Sequence, residues 1–96
     1  MNINFNKNGD NLIVNLEGRL DTTTAPKLED FMNGNLMGVN SLTIDCANLV
    51  YVSSAGLRVL LATHKKMKGG MKLTNVGELV MEVFEITGFT DILTIE

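Results

Sequence analysis

The 96-residue sequence predicts an α/β fold of the α+β kind, a mixed sheet of four to five strands covered by about three helices. Three observations carry this. Two alternating segments flank an Asn-Gly pair near the start, the pattern of a β-hairpin. Beyond them, strand-like apolar runs alternate with longer stretches of helical periodicity, which argues for a sheet that is largely parallel after its hairpin. The composition, 45% hydrophobic and 20% charged with one proline, suits a chain that closes a core. Residues 1–96 are enough for a single domain and too few for two.

The elements follow in order. Ile3 and Phe5 alternate with Asn2, Asn4 and Asn6, Lys7-Asn8-Gly9-Asp10 supplies the turn, and Leu12, Val14 and Leu16 alternate again. Asn and Asp accompany the glycine because they tolerate the positive φ of such turns. Gly18 to Thr24 is a loop of small polar residues. Pro26 then suits a first helical turn, with Thr24 or a neighbour as cap, and Leu28, Phe31, Met32 and Leu36 form the apolar stripe of a first helix. Met37 is expected to pack inside. Ser41–Asp45 reads as one strand, and Asn48–Val52 as a second apolar approach. A second helix, from about Ala55 to Lys68, places Leu57, Leu60, Leu61 and His64 on one face and stops at Gly69-Gly70. Lys65, Lys66 and Lys68 in its last turn read as a solvated end that complements the helix dipole. Met71 and Leu73 mark another strand. A third helix starts at Glu78, with Leu79, Val80, Val83, Phe84 and Ile86 expected to face inward, and ends at Gly88. Leu93 and Ile95 read as a short closing strand.

Several function classes are excluded at this stage. A net charge of −3 leaves no electrostatic footprint for nucleic acid, so partners with basic surfaces are expected instead. No leader pattern and no run of membrane-span length occurs, so the expectation is a cytoplasmic protein with no membrane insertion. One cysteine, Cys46, makes no internal disulfide and reads as a small core residue. One Cys and one His do not close a structural zinc site, and nothing in the spacing of Asp21, Asp45 and Asp91 demands that they meet, so neither metal nor cofactor is expected. Nor does the chain read as an enzyme. A hydrolase nucleophile elbow wants glycine two residues before its serine, and Tyr51 and Val52 stand there. The single histidine, His64, lies ten residues along the same helix from Ser54, roughly 15 Å at helical rise and beyond hydrogen-bond reach.

The informative stretch is Tyr51-Val52-Ser53-Ser54-Ala55-Gly56-Leu57-Arg58. Two serines stand where a strand leaves and a helix begins. The everyday reading of one such serine is an N-cap. Two of them, on a rigid strand-to-helix junction, raise a second reading, a phosphorylation switch.

This stretch and two others carry a family resemblance. Gly18-Arg19-Leu20-Asp21-Thr22-Thr23-Thr24-Ala25 resembles the Gly-x-Leu-Asp loop, with its downstream Thr-Ala, of STAS domains. Leu42-Thr43-Ile44-Asp45 with Leu49-Val50-Tyr51-Val52 resembles the central strand pair of that family. Ser53-Ser54-Ala55-Gly56-Leu57 resembles its Asp-Ser-Ser/Thr-Gly-Leu phosphorylation motif. The likeness runs end to end and is to the bacterial anti-sigma factor antagonists. It implies a partner switch. The unmodified protein binds a serine kinase that doubles as an anti-sigma factor and so releases a sigma factor; phosphorylation breaks that complex, and a serine phosphatase restores it. By the motif, Ser54 is the phosphoacceptor. Ser53 stands where the family has Asp, so it is kept as a second acceptor candidate. Asp21, Thr22 and Thr23 are expected beside Ser54 on the partner-binding rim with Ser53, Gly56 and Arg58; loop and helix-cap chemistry is the plainer account of the first three. Arg58 pairs with Asp21, contacts a partner, or stands exposed doing neither. The alternative reading from the same family is an unphosphorylated accessory subunit of a lipid-export ATPase.

Overall fold

The computed structural model describes residues 1–96. Strands β1 (Asn2–Asn8) and β2 (Asn11–Leu20) form the hairpin, followed by α1 (Ala25–Asn35), β3 (Ser41–Val52), α2 (Ser54–Met67), β4 (Met71–Thr74), α3 (Glu78–Thr87) and a 3-10 turn at Phe89–Asp91. The four strands lie in chain order, β1 antiparallel to β2 and the rest parallel. Parallel neighbours need crossovers, which α1 and α2 supply. Two successive right-handed crossovers in one direction place both helices on one face of the sheet, where they pack against each other.

The strands bury their helix-facing side only. Leu12, Val14 and Leu16 of β2 and Leu42, Ile44 and Cys46 of β3 are buried, alternating with more exposed neighbours. Against them pack Leu28 and Met32 of α1, Leu57 and Leu60 of α2, and Val80 and Phe84 of α3. This is the mixed, helix-covered sheet that the patterning predicts.

Four expectations are corrected. Ser41–Val52 is one strand, not two approaches. Its register against β2 gains one residue between Asp45 and Asn48 and another between Leu49 and Tyr51, which shifts the buried phase from Leu42, Ile44 and Cys46 to Leu49 and Val52. The Asp45 carboxylate accepts from Ala47 N–H at 3.0 Å at the first irregularity. Second, the closing strand shrinks to one bridge between Leu73 and Ile95. Third, Met37 is 92% exposed, and on α3 Leu79 and Ile86 are 69% and 85% exposed. That helix packs on β3 through Val80 and Phe84, which accounts for only one of its faces. Fourth, on α2 Val59 and Thr63 are buried while Leu61 and His64 are half-buried, since the helix meets α1 as well as the sheet.

Candidate functional site

The site is built at the end of the sheet where β2 and β3 deliver their chains to helices. Ser53 is extended, with φ −101° and ψ 176°, and caps α2: its Oγ accepts from Gly56 N–H at 3.4 Å, and its own N–H donates to the Leu20 carbonyl at 2.9 Å. Ser54 is the first helical residue and is exposed. The two serines therefore differ in kind. One hydroxyl is turned inward to close the helix; the other faces solvent.

Gly56 explains how closely the two chain crossings approach. A Cβ built there would lie 2.6 Å from Leu20 Cγ, 2.9 Å from its Cδ2 and 3.0 Å from its carbonyl oxygen. Leu20 is fully buried, so the absence of a side chain at Gly56 is what lets the first turn of α2 sit against the end of β2.

After Leu20 the chain turns through a tight knot of hydrogen bonds. Asp21 Oδ1 accepts from the Thr23 hydroxyl at 2.8 Å, from Thr23 N–H at 3.0 Å and from Thr24 N–H at 3.2 Å. Thr24 occupies the N-cap position of α1 but its side chain makes no cap bond; its hydroxyl donates to the Arg19 carbonyl at 2.7 Å and accepts from Asp21 N–H at 2.8 Å. Asp21 thus fixes the turn that leads into α1, and the side-chain cap expected from Thr24 or a neighbour is not made. The Thr23 hydroxyl is the main reason that its carboxyl is held down at about 2, from an ordinary 3.8; desolvation opposes it, and the Thr24 and Thr23 N–H groups add to it. Asp21 is a fixed anion at neutral pH. Its ionic partner is Arg19, Nε to Oδ2 at 3.6 Å, not Arg58. The Arg19 guanidinium also lies over the Tyr51 ring, 4.2 Å from its centroid, because β2 and β3 set these two residues side by side.

Between α1 and α2 runs an open groove of about 400 Å³. Thr22, Pro26 and Glu29 line one side, and Ala55, Arg58 and Val59 the other. Of the residues expected at the rim, Thr22 and Arg58 meet in this groove, at the turn that begins with Ser54. Asp21 and Thr23 are spent on the loop's own hydrogen bonds, and Gly56 is buried beneath. His64 sits near the far end of α2, so Ser54 has no base at hand. No cluster of three or more His, Cys, Asp or Glu is placed to hold a metal. The arrangement leaves Ser54 exposed at the head of α2 and Arg58 in the open groove.

The STAS domain family model matches residues 2–96. The chain belongs to the STAS domain family. It is 32% identical to an anti-sigma-B factor antagonist of Bacillus subtilis over 99% of this chain and 90% of that one. Its fold is shared with an anti-sigma factor antagonist from Mycobacterium paratuberculosis, at a TM-score of 0.87 and 23% identity over 98% of this STAS chain and 83% of the other. It also superimposes on the Bacillus cell fate determinant SpoIIAA in its phosphorylated form, at a TM-score of 0.75 and 15% identity over 99% and 91% of the two chains.

Two features of this STAS rim escape a reading of the sequence. The Arg19–Tyr51 stack depends on the parallel register of β2 and β3, which no local pattern encodes. Pro26 reads only as a helix-start residue, and Glu29 carries no signal, until α1 and α2 are placed together. A usable signal existed for Arg19, since it stands two residues before Asp21 and carries the opposite charge.

Proposed function

We propose that this STAS domain is an anti-sigma factor antagonist that works as a phosphorylation-controlled partner switch. The unmodified form binds an anti-sigma serine kinase and releases a sigma factor, and phosphorylation of Ser54 abolishes that binding. The observation that carries the reading is the division of labour between the serines: Ser53 caps α2 from within, and Ser54 stands exposed at its first position. The names of the relatives support the regulatory class, and a phosphorylated member of the fold fits the chemistry.

In the switch, the kinase transfers the terminal phosphoryl group of a nucleoside triphosphate to Ser54 Oγ. An O–P bond forms, the terminal phosphoanhydride bond breaks, and the nucleoside diphosphate and the hydroxyl proton leave. A serine phosphatase reverses the modification with water. The added charge is about −1.5 to −2 at neutral pH. At a helix N-terminus it meets the positive end of the dipole, so the fold tolerates it. Against a partner it must be desolvated, and a mismatched buried charge commonly costs on the order of 2–5 kcal/mol, a thirty-fold or larger loss of affinity.

Phosphosite mapping by mass spectrometry, on the protein isolated from its own cells beside Ser54→Ala, tests the assignment. One phosphate that disappears in Ser54→Ala is the expected result. A phosphate that persists there moves the acceptor to another residue, Ser53 first among them. A chain never phosphorylated across growth and stress contradicts the switch and favours the unmodified transport-subunit reading.

A further inference from the structure

We infer that Arg58 receives the phosphate on Ser54, so that phosphorylation both adds charge to the rim and withdraws Arg58 from the groove between α1 and α2. The inference rests on the reading of Ser54 as the phosphoacceptor.

Three observations converge on Arg58. It follows Ser54 by four residues within α2, and both are exposed. Residues so spaced are neighbours on a helix surface. Direction matters as much as spacing. Helical side chains lean toward the N-terminus and cover the preceding turn, so a long side chain at Arg58 reaches back over Ser54. The third is availability. The two ion pairs of the chain are Arg19–Asp21 and Lys72–Glu96, so Arg58 is in neither.

The other charged groups at this rim are already committed or have the wrong sign. Arg19 is stacked on Tyr51 and paired with Asp21. The Asp21 carboxylate is tied to Thr23 and Thr24. Glu29 of α1 lines the groove opposite Arg58 and is its one acidic rival there. A phosphate carries up to twice the charge of Glu29, sits on the same helix as Arg58, and presents oxygens that match the planar guanidinium fork. Arg58 therefore turns from the groove to the phosphate. The modified and unmodified proteins then differ at two places in the docking surface: a dianion appears at Ser54, and a cation that was free to meet an acidic group on the partner is neutralised. Arg58 acts as a positioning residue in this device, and Ser54 alone is modified.

The test uses full-length protein with phosphoserine installed at position 54 during translation, so that no kinase is needed. The second ionisation of the phosphate is followed by phosphorus NMR titration in the parent and in Arg58→Gln, Arg58→Lys and Arg19→Gln. The helix terminus acts equally in all four and cancels. Arg58→Gln is expected to raise the phosphate pKa by about half a pH unit, Arg58→Lys by less, and Arg19→Gln by less than Arg58→Gln. Identical titrations in the parent and Arg58→Gln overturn the inference, as does a larger shift in Arg19→Gln. Its failure is distinct from failure of the switch itself: mass mapping reports whether Ser54 is modified in cells, and the NMR titration reports only what receives the phosphate.

Discussion

Ser53 and Ser54 are adjacent and chemically identical, and their backbone positions separate them. The N-cap places one hydroxyl under the helix and leaves the other outside. A similar precision governs Asp21, whose carboxylate is fixed by the Thr23 hydroxyl and two backbone N–H groups. Its pKa falls from 3.8 to about 2, so the folded state holds its proton more weakly than the unfolded state does. The stabilisation is complete above the unfolded value and fades as pH falls from about 4 toward 2. Urea unfolding at several pH values checks this: Asp21→Asn should be less stable than the parent at pH 7, and the gap should narrow between pH 4 and pH 2. A gap independent of pH contradicts the assignment. Gly56 gives a prediction of opposed tendencies. Alanine is the better helix former by about 1 kcal/mol, yet its Cβ would meet Leu20 side-chain and carbonyl atoms at 2.6 to 3.0 Å. The clash should win, and Gly56→Ala should destabilise by about 1–3 kcal/mol in urea unfolding. Cys46 shows the contrasting buried case. Burial, then the charge of Asp45, pushes its thiol up to about 12, so it remains a protonated packing group.

Helix α3 was only partly legible, because its apolar residues extend beyond the face that packs. Glu78, Glu82 and Glu85, at i, i+4 and i+7, mark its solvent face and set Val80 and Phe84 opposite, but the flanking Leu79 and Ile86 look like core as well. Packing on β3 decides the flank: Val80 and Phe84 go in, while Leu79 and Ile86 stay out. Phe84→Ala should therefore cost about 3–5 kcal/mol, and Ile86→Ser should change stability by no more than about 0.5 kcal/mol. Chemical denaturation of the two variants measures both; comparable losses would contradict the packing. The hairpin and α1 were readable because each is set locally, by the Gly9-Asp10 turn between Asn8 and Asn11 and by Pro26 at the helix start. β3 was not, since its two register shifts answer to β2 across the sheet. Val50, at the second shift, is left 59% exposed although it lies in an apolar run. The closing strand is likewise reduced, with Ile95 bridging to Leu73 alone.

The whole chain is a rigid sheet with one dressed end. β2 and β3 run parallel and so present the Asp21 loop and the Ser53–Ser54 cap together, while two same-face crossovers lay the groove of Thr22, Glu29 and Arg58 beside them. That Asp21 and Thr23 serve their own loop was one of two readings the sequence left open, and the hydrogen bonds that choose it are invisible in residue order. In the proposed switch this scaffold takes a phosphate at the head of α2 without refolding, which confines the effect to docking. The central claim is thus a difference in affinity between two forms of one fold. The direct measurement is isothermal titration of the anti-sigma serine kinase, captured from the protein's own cells, into unmodified protein and into protein phosphorylated at Ser54. Binding to the unmodified form that weakens by about thirty-fold or more on phosphorylation is the expected result. Equal affinity for the two forms would contradict the switch.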